Sequence, residues 1–210
     1  MDFDFIKAPR WLRWSVPWMR WKFKPRDELY LTFDDGPTPG VTEPILELLD
    51  QYQAKATFFC IGQRVQQFPE LARRIESAGH SLGNHTYSHI NGWTCSPREY
   101  LRDVDRAQTS MSQTLNSPIR WFRPPFGRIG ILAMFVLMTR YKIAMWDITA
   151  MDYRADLDGQ QVFDIVVQNA GKGSIVLLHD SELAAPRVLS ALPQILDYYR
   201  GQGLTFKCLR

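Results

Sequence analysis

The sequence predicts an α/β fold built around one parallel sheet. Two observations carry this. Past residue 28, short apolar runs alternate with longer amphipathic stretches, and no internal repeat, low-complexity tract or linker interrupts the alternation. Regular β-α alternation implies parallel strands, and seven of them close as a barrel or leave a doubly wound sheet.

Strands are expected at 29–34, 56–60, 81–84, 120–123, 141–146, 174–178 and 204–207. Helices are expected between them at 42–53, 69–78, 97–115, 129–139, 160–169 and 187–200. Thr42 with Pro44, Pro69-Glu70, and Ser96-Pro97 with Glu99 are helix-start signals. Gly79, Gly171 and Gly201 fit helix ends.

Composition sets the class. With 45% hydrophobic and 22% charged residues over 210 positions, the chain is an ordinary globular one and long enough for a full core. Cys60, Cys95 and Cys208 are odd in number and share no close spacing, which favours buried reduced thiols over a disulfide framework or cysteine-zinc site. The glycines form neither a dinucleotide fingerprint nor a P-loop, and no nucleic-acid partner is expected.

Residues 1–28 read as a basic, Trp-rich arm ahead of a domain spanning 29–210. Residues 1–26 carry seven Lys/Arg and two Asp, so a net +3 chain is about −2 beyond them. Trp11, Trp14, Trp18 and Trp21 fall at helical spacing, although Pro9 and Pro17 interrupt a continuous helix. Such an arm can pack its Trp stripe on the domain, which is the expectation here, or make peripheral membrane contact. No secretory signal is visible, and the longest apolar run, Ile129 to Met138, is too short to span a bilayer. A cytoplasmic or membrane-peripheral location is expected, with export left open.

Polar residues stand just after the strands: Asp34-Asp35, Asn84-His85, Arg123, Asp147 and His179-Asp180. In parallel α/β folds that rim carries the site. Two adjacent carboxylates at a strand end repel one another and need a cation or a shared proton. His85 and His89 are four apart, so a helical turn would place both on one face to grip an ion. Asp-His-His is also a non-haem iron triad. The added Arg, second Asp and third His argue against that reading, since oxygenation does not need them. Arg123-Pro124-Pro125-Phe126-Gly127 is a rigid loop suited to aiming an N–H at an oxyanion, and Asp34 is the anion available to Arg123. His179 offers an acid near neutral pH. His80 enters its strand from the N-terminal side and reads as structural.

Taken in order, Thr32-Phe-Asp-Asp-Gly-Pro37, His85-Thr-Tyr-Ser-His89, Arg123-Pro-Pro-Phe-Gly127, Trp146 with Asp152, and Leu177-Leu-His179 resemble the five motifs of the polysaccharide deacetylases, carbohydrate esterase family 4. The resemblance runs from about residue 29 to the C-terminus. It implies a distorted (β/α)7 barrel of the NodB type. It implies Asp34 as general base, Asp35, His85 and His89 as metal ligands, and Arg123 as partner of Asp34. It further implies His179 as general acid oriented by Asp152, an oxyanion contact from the Phe126 N–H beside Pro125, and an acetyl pocket lined by Trp146 and Leu177. The implied cofactor is a divalent metal, zinc first, with cobalt, nickel or manganese compatible with the same donors. The implied substrate is an N-acetylated glycan such as peptidoglycan, chitooligosaccharide or exopolysaccharide. Alternatives are an O-acetyl ester, a lipid-linked sugar, or a catalytically silent glycan-binding barrel. The chain departs from the family in having Phe126 where Tyr is common and Tyr153 where Trp is frequent.

Overall fold

The structure, a computed structural model, describes residues 5–209. Its centre is β1 (Glu28–Asp34), in which six of seven residues are buried, as expected of a strand covered on both faces. Leu29, Leu31 and Phe33 join the core under the helices. Tyr30 joins the opposite core, and Thr32 and Asp34 follow it at the two-residue period of a strand.

After β1 come α2 (Thr42–Gln51), β2 (Thr57–Cys60), α3 (Gly62–Gln67), α4 (Pro69–Ser77) and β3 (Ser81–Asn84); a short α1 (Arg10–Ser15) precedes it. The chain continues through α5 (Pro97–Thr114), β4 (Trp121–Phe122), a 3-10 turn (Pro125–Gly127), α6 (Ile131–Met138), β5 (Lys142–Ile143) and β6 (Ile148–Thr149). It ends with α7 (Gly159–Asn169), β7 (Ile175–His179), α8 (Ala185–Gly201) and β8 (Thr205–Phe206). The strand order is β5-β4-β3-β2-β1-β7-β6, every pair is parallel, and the sheet curls into a half-barrel. β8 pairs with the start of β1.

Beyond the arm, three elements differ from the sequence expectation. The run 141–146 yields only a two-residue strand, and a separate β6 follows it. α3 was not anticipated, because GQRVQQ has too few apolar residues to show a period. The start signals held. Ser96 and Glu99 form a reciprocal capping box on α5, and Asp158 and Gln161 form another on α7; each cap is worth about 1 kcal/mol. Of the three cysteines, all free, only Cys60 is fully buried.

The arm is stitched to the barrel. Thr149 N–H donates to Ile6 C=O and Ala8 N–H to Asp147 C=O, at 2.9 and 3.0 Å. On the other side Arg20 N–H donates to Ile143 C=O, and Met145 N–H returns a bond to Arg20 C=O. The arm therefore hydrogen-bonds both outer strands, β6 and β5, whose free edges would otherwise invite pairing. Asp147 anchors it. Read from sequence as a rim residue, Asp147 is fully buried and instead meets Arg13 at 3.0 Å, Lys22 at 3.2 Å and the Ser174 hydroxyl at 2.8 Å. Because β5 ends early, residue 147 opens the next strand rather than closing a long one. The Trp stripe is split. Trp21 is buried, whereas Trp11, Trp14 and Trp18 remain 62%, 74% and 47% exposed, against the expectation of a packed stripe.

Candidate active site

The C-terminal ends of β1, β3 and β7 deliver polar residues to one cavity of about 400 Å³, and the loop after β4 adds Pro124 and Phe126. Asp34, Asp35, His85, His89, Phe126, Trp146, Leu177 and His179 all line it. Arg123 and Asp152 are buried behind its wall. Pro125 is buried too, and the neighbouring Pro124 takes the place at the wall.

Asp34 and Asp35 face different partners. Asp34 Oδ1 accepts from Arg123 Nη1 at 2.7 Å. Arg123 is fully buried and held rigidly, donating also to the Thr32 hydroxyl and to the carbonyls of Ala144 and Met145. Its guanidinium lies 4.1 Å over the Phe59 ring. Burial raises the Asp34 carboxyl above its ordinary range, and the Arg123 charge opposes that rise. Burial likewise lowers Arg123, against the attraction of Asp34.

Asp35 leaves β1 with φ 83°, a left-handed conformation that non-glycine residues rarely adopt and that clusters at functional sites. Its turn is tied from outside: Gly36 N–H donates to Asp180 Oδ1 at 2.9 Å, and the Thr42 hydroxyl donates to Asp180 Oδ2 at 2.6 Å. A Cβ on Gly36 would lie 1.9 Å from Asp180 Oδ2, so only glycine fits there. Burial pushes the Asp180 carboxyl up to about 7. Asp180 was visible in the sequence only as the neighbour of His179.

His85 and His89 converge by a different route from the predicted helical turn. Residues 85–90 form a loop in which Thr86 and His89 have φ of 64° and 58°. Asn84 Oδ1 accepts from Thr86 N–H, and the Asp103 carboxylate on α5 accepts from the N–H groups of Tyr87 and Ser88. These bonds bring the two imidazole centroids to 5.1 Å. His85 Nδ1 is 2.7 Å from the Arg123 carbonyl, which assigns the proton to Nδ1 and leaves Nε2 with a free lone pair. Burial, aided by His89, drives the His85 pKa down to about 3, so the ring is neutral.

One donor atom from each of Asp35, His85 and His89 lies within 4.8 Å of the others. Asp35 Oδ1 sits 3.2 Å from His89 Nε2 and 3.6 Å from His85 Nε2, yet it is buried with no hydrogen-bond donor among the described residues. A buried carboxylate oxygen without a donor, facing two imidazole nitrogens, is the arrangement a divalent cation satisfies. The donor set fits the group.

Across the cavity, Asp152 grips His179 twice, accepting from its backbone N–H at 2.7 Å and from Nδ1 at 2.8 Å. Arg187 Nε donates to the Asp152 carbonyl at 2.6 Å, a support not anticipated from sequence. Burial alone would lower the His179 pKa, but the Asp152 charge and hydrogen bond lift it to about 9. Tyr153 stands edge-on to the His179 ring at 5.4 Å. Phe126 holds φ 58° and packs its ring edge-on against His89 at 4.5 Å. The next residue, Gly127, is also left-handed, and a Cβ there would lie 2.9 Å from Trp146. His80 lies apart from the cavity, accepting the Ala56 N–H at Nδ1, and burial lowers its pKa to about 4.

The sequence and the fold match known proteins with this architecture. The profile of the family described as Polysaccharide deacetylase matches residues 22–137. The chain belongs to that family. A peptidoglycan-N-acetylglucosamine deacetylase of Bacillus cereus is 34% identical over 205 residues, 96% of this chain and 92% of that protein. A chitooligosaccharide deacetylase of Sinorhizobium fredii is 34% identical over 197 residues, covering 86% and 89%. The solved structure of the peptidoglycan N-acetylglucosamine deacetylase Bc1960, in complex with an N-hydroxybenzamide, superposes with a TM-score of 0.89 at 27% identity over 96% of this chain and 95% of that one. The fold is thus the distorted (β/α)7 barrel of carbohydrate esterase family 4, a family of metal-dependent deacetylases that also includes a pseudoenzyme.

Proposed function

We propose that the chain removes acetyl groups from N-acetylglucosamine units of a glycan, releasing acetate and leaving a free amine. The observation that carries this is the convergence in one cavity of a three-donor cation cradle, an Asp34–Arg123 pair and a His179–Asp152 pair. The names of the most similar relatives support the substrate class.

Asp35, His85 and His89 would hold the metal. Two imidazole nitrogens and one carboxylate favour zinc. When bound, such an ion polarises a carbonyl and lowers the pKa of water from 15.7 towards roughly 7.

Asp34 is the general base. Its Oδ2 lies 3.7 Å from His85 Nε2, beside the cradle, and takes the proton of the attacking water. Burial raises this carboxyl and so favours its taking a proton, while the Arg123 charge opposes the rise and favours the carboxylate. Attack on the acetyl carbon gives a tetrahedral oxyanion, to which the Phe126 N–H donates. Trp146 and Leu177, both buried at the cavity wall, enclose the acetyl methyl. His179 is the general acid. Asp152 occupies Nδ1, so Nε2 delivers the proton that lets the sugar amine leave. The rim suits a saccharide: Phe126 and Leu183 line the cavity, are more than half exposed, and offer apolar surface to sugar faces.

The test is acetate release with defined metals from chitooligosaccharides, peptidoglycan fragments and acetylated xylan. Release from the first two and loss with chelator are expected. Release only from acetylated xylan would redirect the reading to O-acetyl esters. Binding without any release would leave a glycan-binding barrel.

A further inference from the structure

α6 is apolar on every side, with the sequence Ile-Leu-Ala-Met-Phe-Val-Leu-Met and no charge. A short helix of that composition is normally buried all round. Here Ala133, Met134 and Leu137 enter the core, while Ile131, Leu132, Phe135 and Val136 are 66%, 66%, 53% and 43% exposed. Their spacing of one, three and one puts all four on the outward face. The patch continues into the arm, because the Trp18 ring lies 6.5 Å from that of Phe135. Beneath it, Met19 and Trp21 of the arm share one core with Met134 and Leu137 of α6, so the two surfaces are held in fixed register.

The arm beside this patch carries charge of one sign, although Arg13 and Lys22 are paired with Asp147. Residues 5–26 contain seven Lys/Arg and no acid. Arg10 and Arg20 are exposed, with Arg10 reaching over the Trp14 ring. Exposed tryptophan beside an apolar helix face and a run of cations fits the interface of an anionic bilayer, where indole sits at headgroup depth and cations meet lipid phosphates. A second copy of the chain fits poorly, since it would bring a like-charged arm against this one.

We propose that the outward face of α6, together with Trp18, docks this protein on an anionic lipid surface. The docking face extends beyond the arm and is built into the barrel. Deleting the arm would uncover the β5 and β6 edges and confound the test, so surface substitutions are the proper probes.

The experiment is co-sedimentation of the full chain with equimolar phosphatidylglycerol/phosphatidylcholine vesicles, against phosphatidylcholine vesicles alone, with tryptophan emission followed in parallel. The full chain partitions onto the anionic vesicles and its emission shifts to the blue. Leu132→Ser with Phe135→Ser weakens partition roughly tenfold or more by removing inserted apolar surface. Arg10→Ser and Arg20→Ser each weaken it roughly fivefold. These exposed positions leave acetate release from soluble chitooligosaccharide and the far-UV spectrum unchanged. Equal partition onto both vesicle types, or onto neither, overturns the proposal. So does a concentration-dependent dimer in the ultracentrifuge that Leu132→Ser with Phe135→Ser abolishes.

Discussion

Arg123 presents its backbone carbonyl to His85 Nδ1 at 2.7 Å while its own guanidinium reaches Asp34 at 2.7 Å. One fully buried residue thereby orients a ring of the cation cradle through its main chain and the proposed base through its side chain. The two tasks separate under mutation, because a substitution changes only the side chain.

Arg123→Lys keeps the charge but loses the planar fork that also holds the Ala144 and Met145 carbonyls. Acetate release falls ~100-fold or more, the scale of lost acid-base catalysis. Bound metal per chain, measured by elemental analysis, changes little because the residue 123 carbonyl remains. Arg123→Ala leaves Asp34 buried and unpaired and lowers unfolding free energy by ~3–5 kcal/mol in a urea titration.

Asp152 sets the alkaline limb of the pH profile. As the proposed general acid His179 must be protonated, and Asp152 raises its pKa to about 9 against the opposing effect of burial, so activity is expected to fall as pH rises through that region. A cation held by Asp35 would offset the contribution of that carboxylate and move the limb to lower pH. Asp152→Asn removes the largest favourable charge, and the limb of kcat moves to lower pH. An unshifted limb would mean that His179 is not the titrating acid.

Asp180 fixes the turn that presents Asp35, through Gly36 N–H and the Thr42 hydroxyl. Asp180→Ala removes both bonds, and Gly36→Ala drives a methyl into the same carboxylate. Each weakens metal affinity roughly 10–100-fold, the usual cost of losing support behind a ligand. Competition against a chromogenic chelator measures it.

Much of this was legible before any coordinates. Carboxylates and histidines placed at strand ends betray a parallel-sheet rim, since no core would keep them, and Asp34, His85 and His179 were found that way. Their spacing was less informative. The His85–His89 interval suggested a helical turn, but Asp103, fifteen residues further along on α5, holds a loop with two left-handed residues instead. Asp147 misled for a related reason: a strand that stops after two residues shifts the next polar residue from rim to seam. Its partners, Arg13 and Lys22, lie over a hundred residues away in the arm. Asp180, Arg187 and Asp103 act through other residues, and nothing local in the sequence marks such support.

In the proposed mechanism the adjacent carboxylates divide the work, Asp35 holding the ion and Asp34 taking the proton. The direct test measures zinc stoichiometry and acetate release on the same samples of Asp34→Asn and Asp35→Asn. On that division Asp34→Asn retains about one zinc per chain, as a three-ligand catalytic site holds, yet releases almost no acetate, while Asp35→Asn loses the zinc and the activity together. An active Asp34→Asn, or an Asp35→Asn that keeps its zinc, would contradict it.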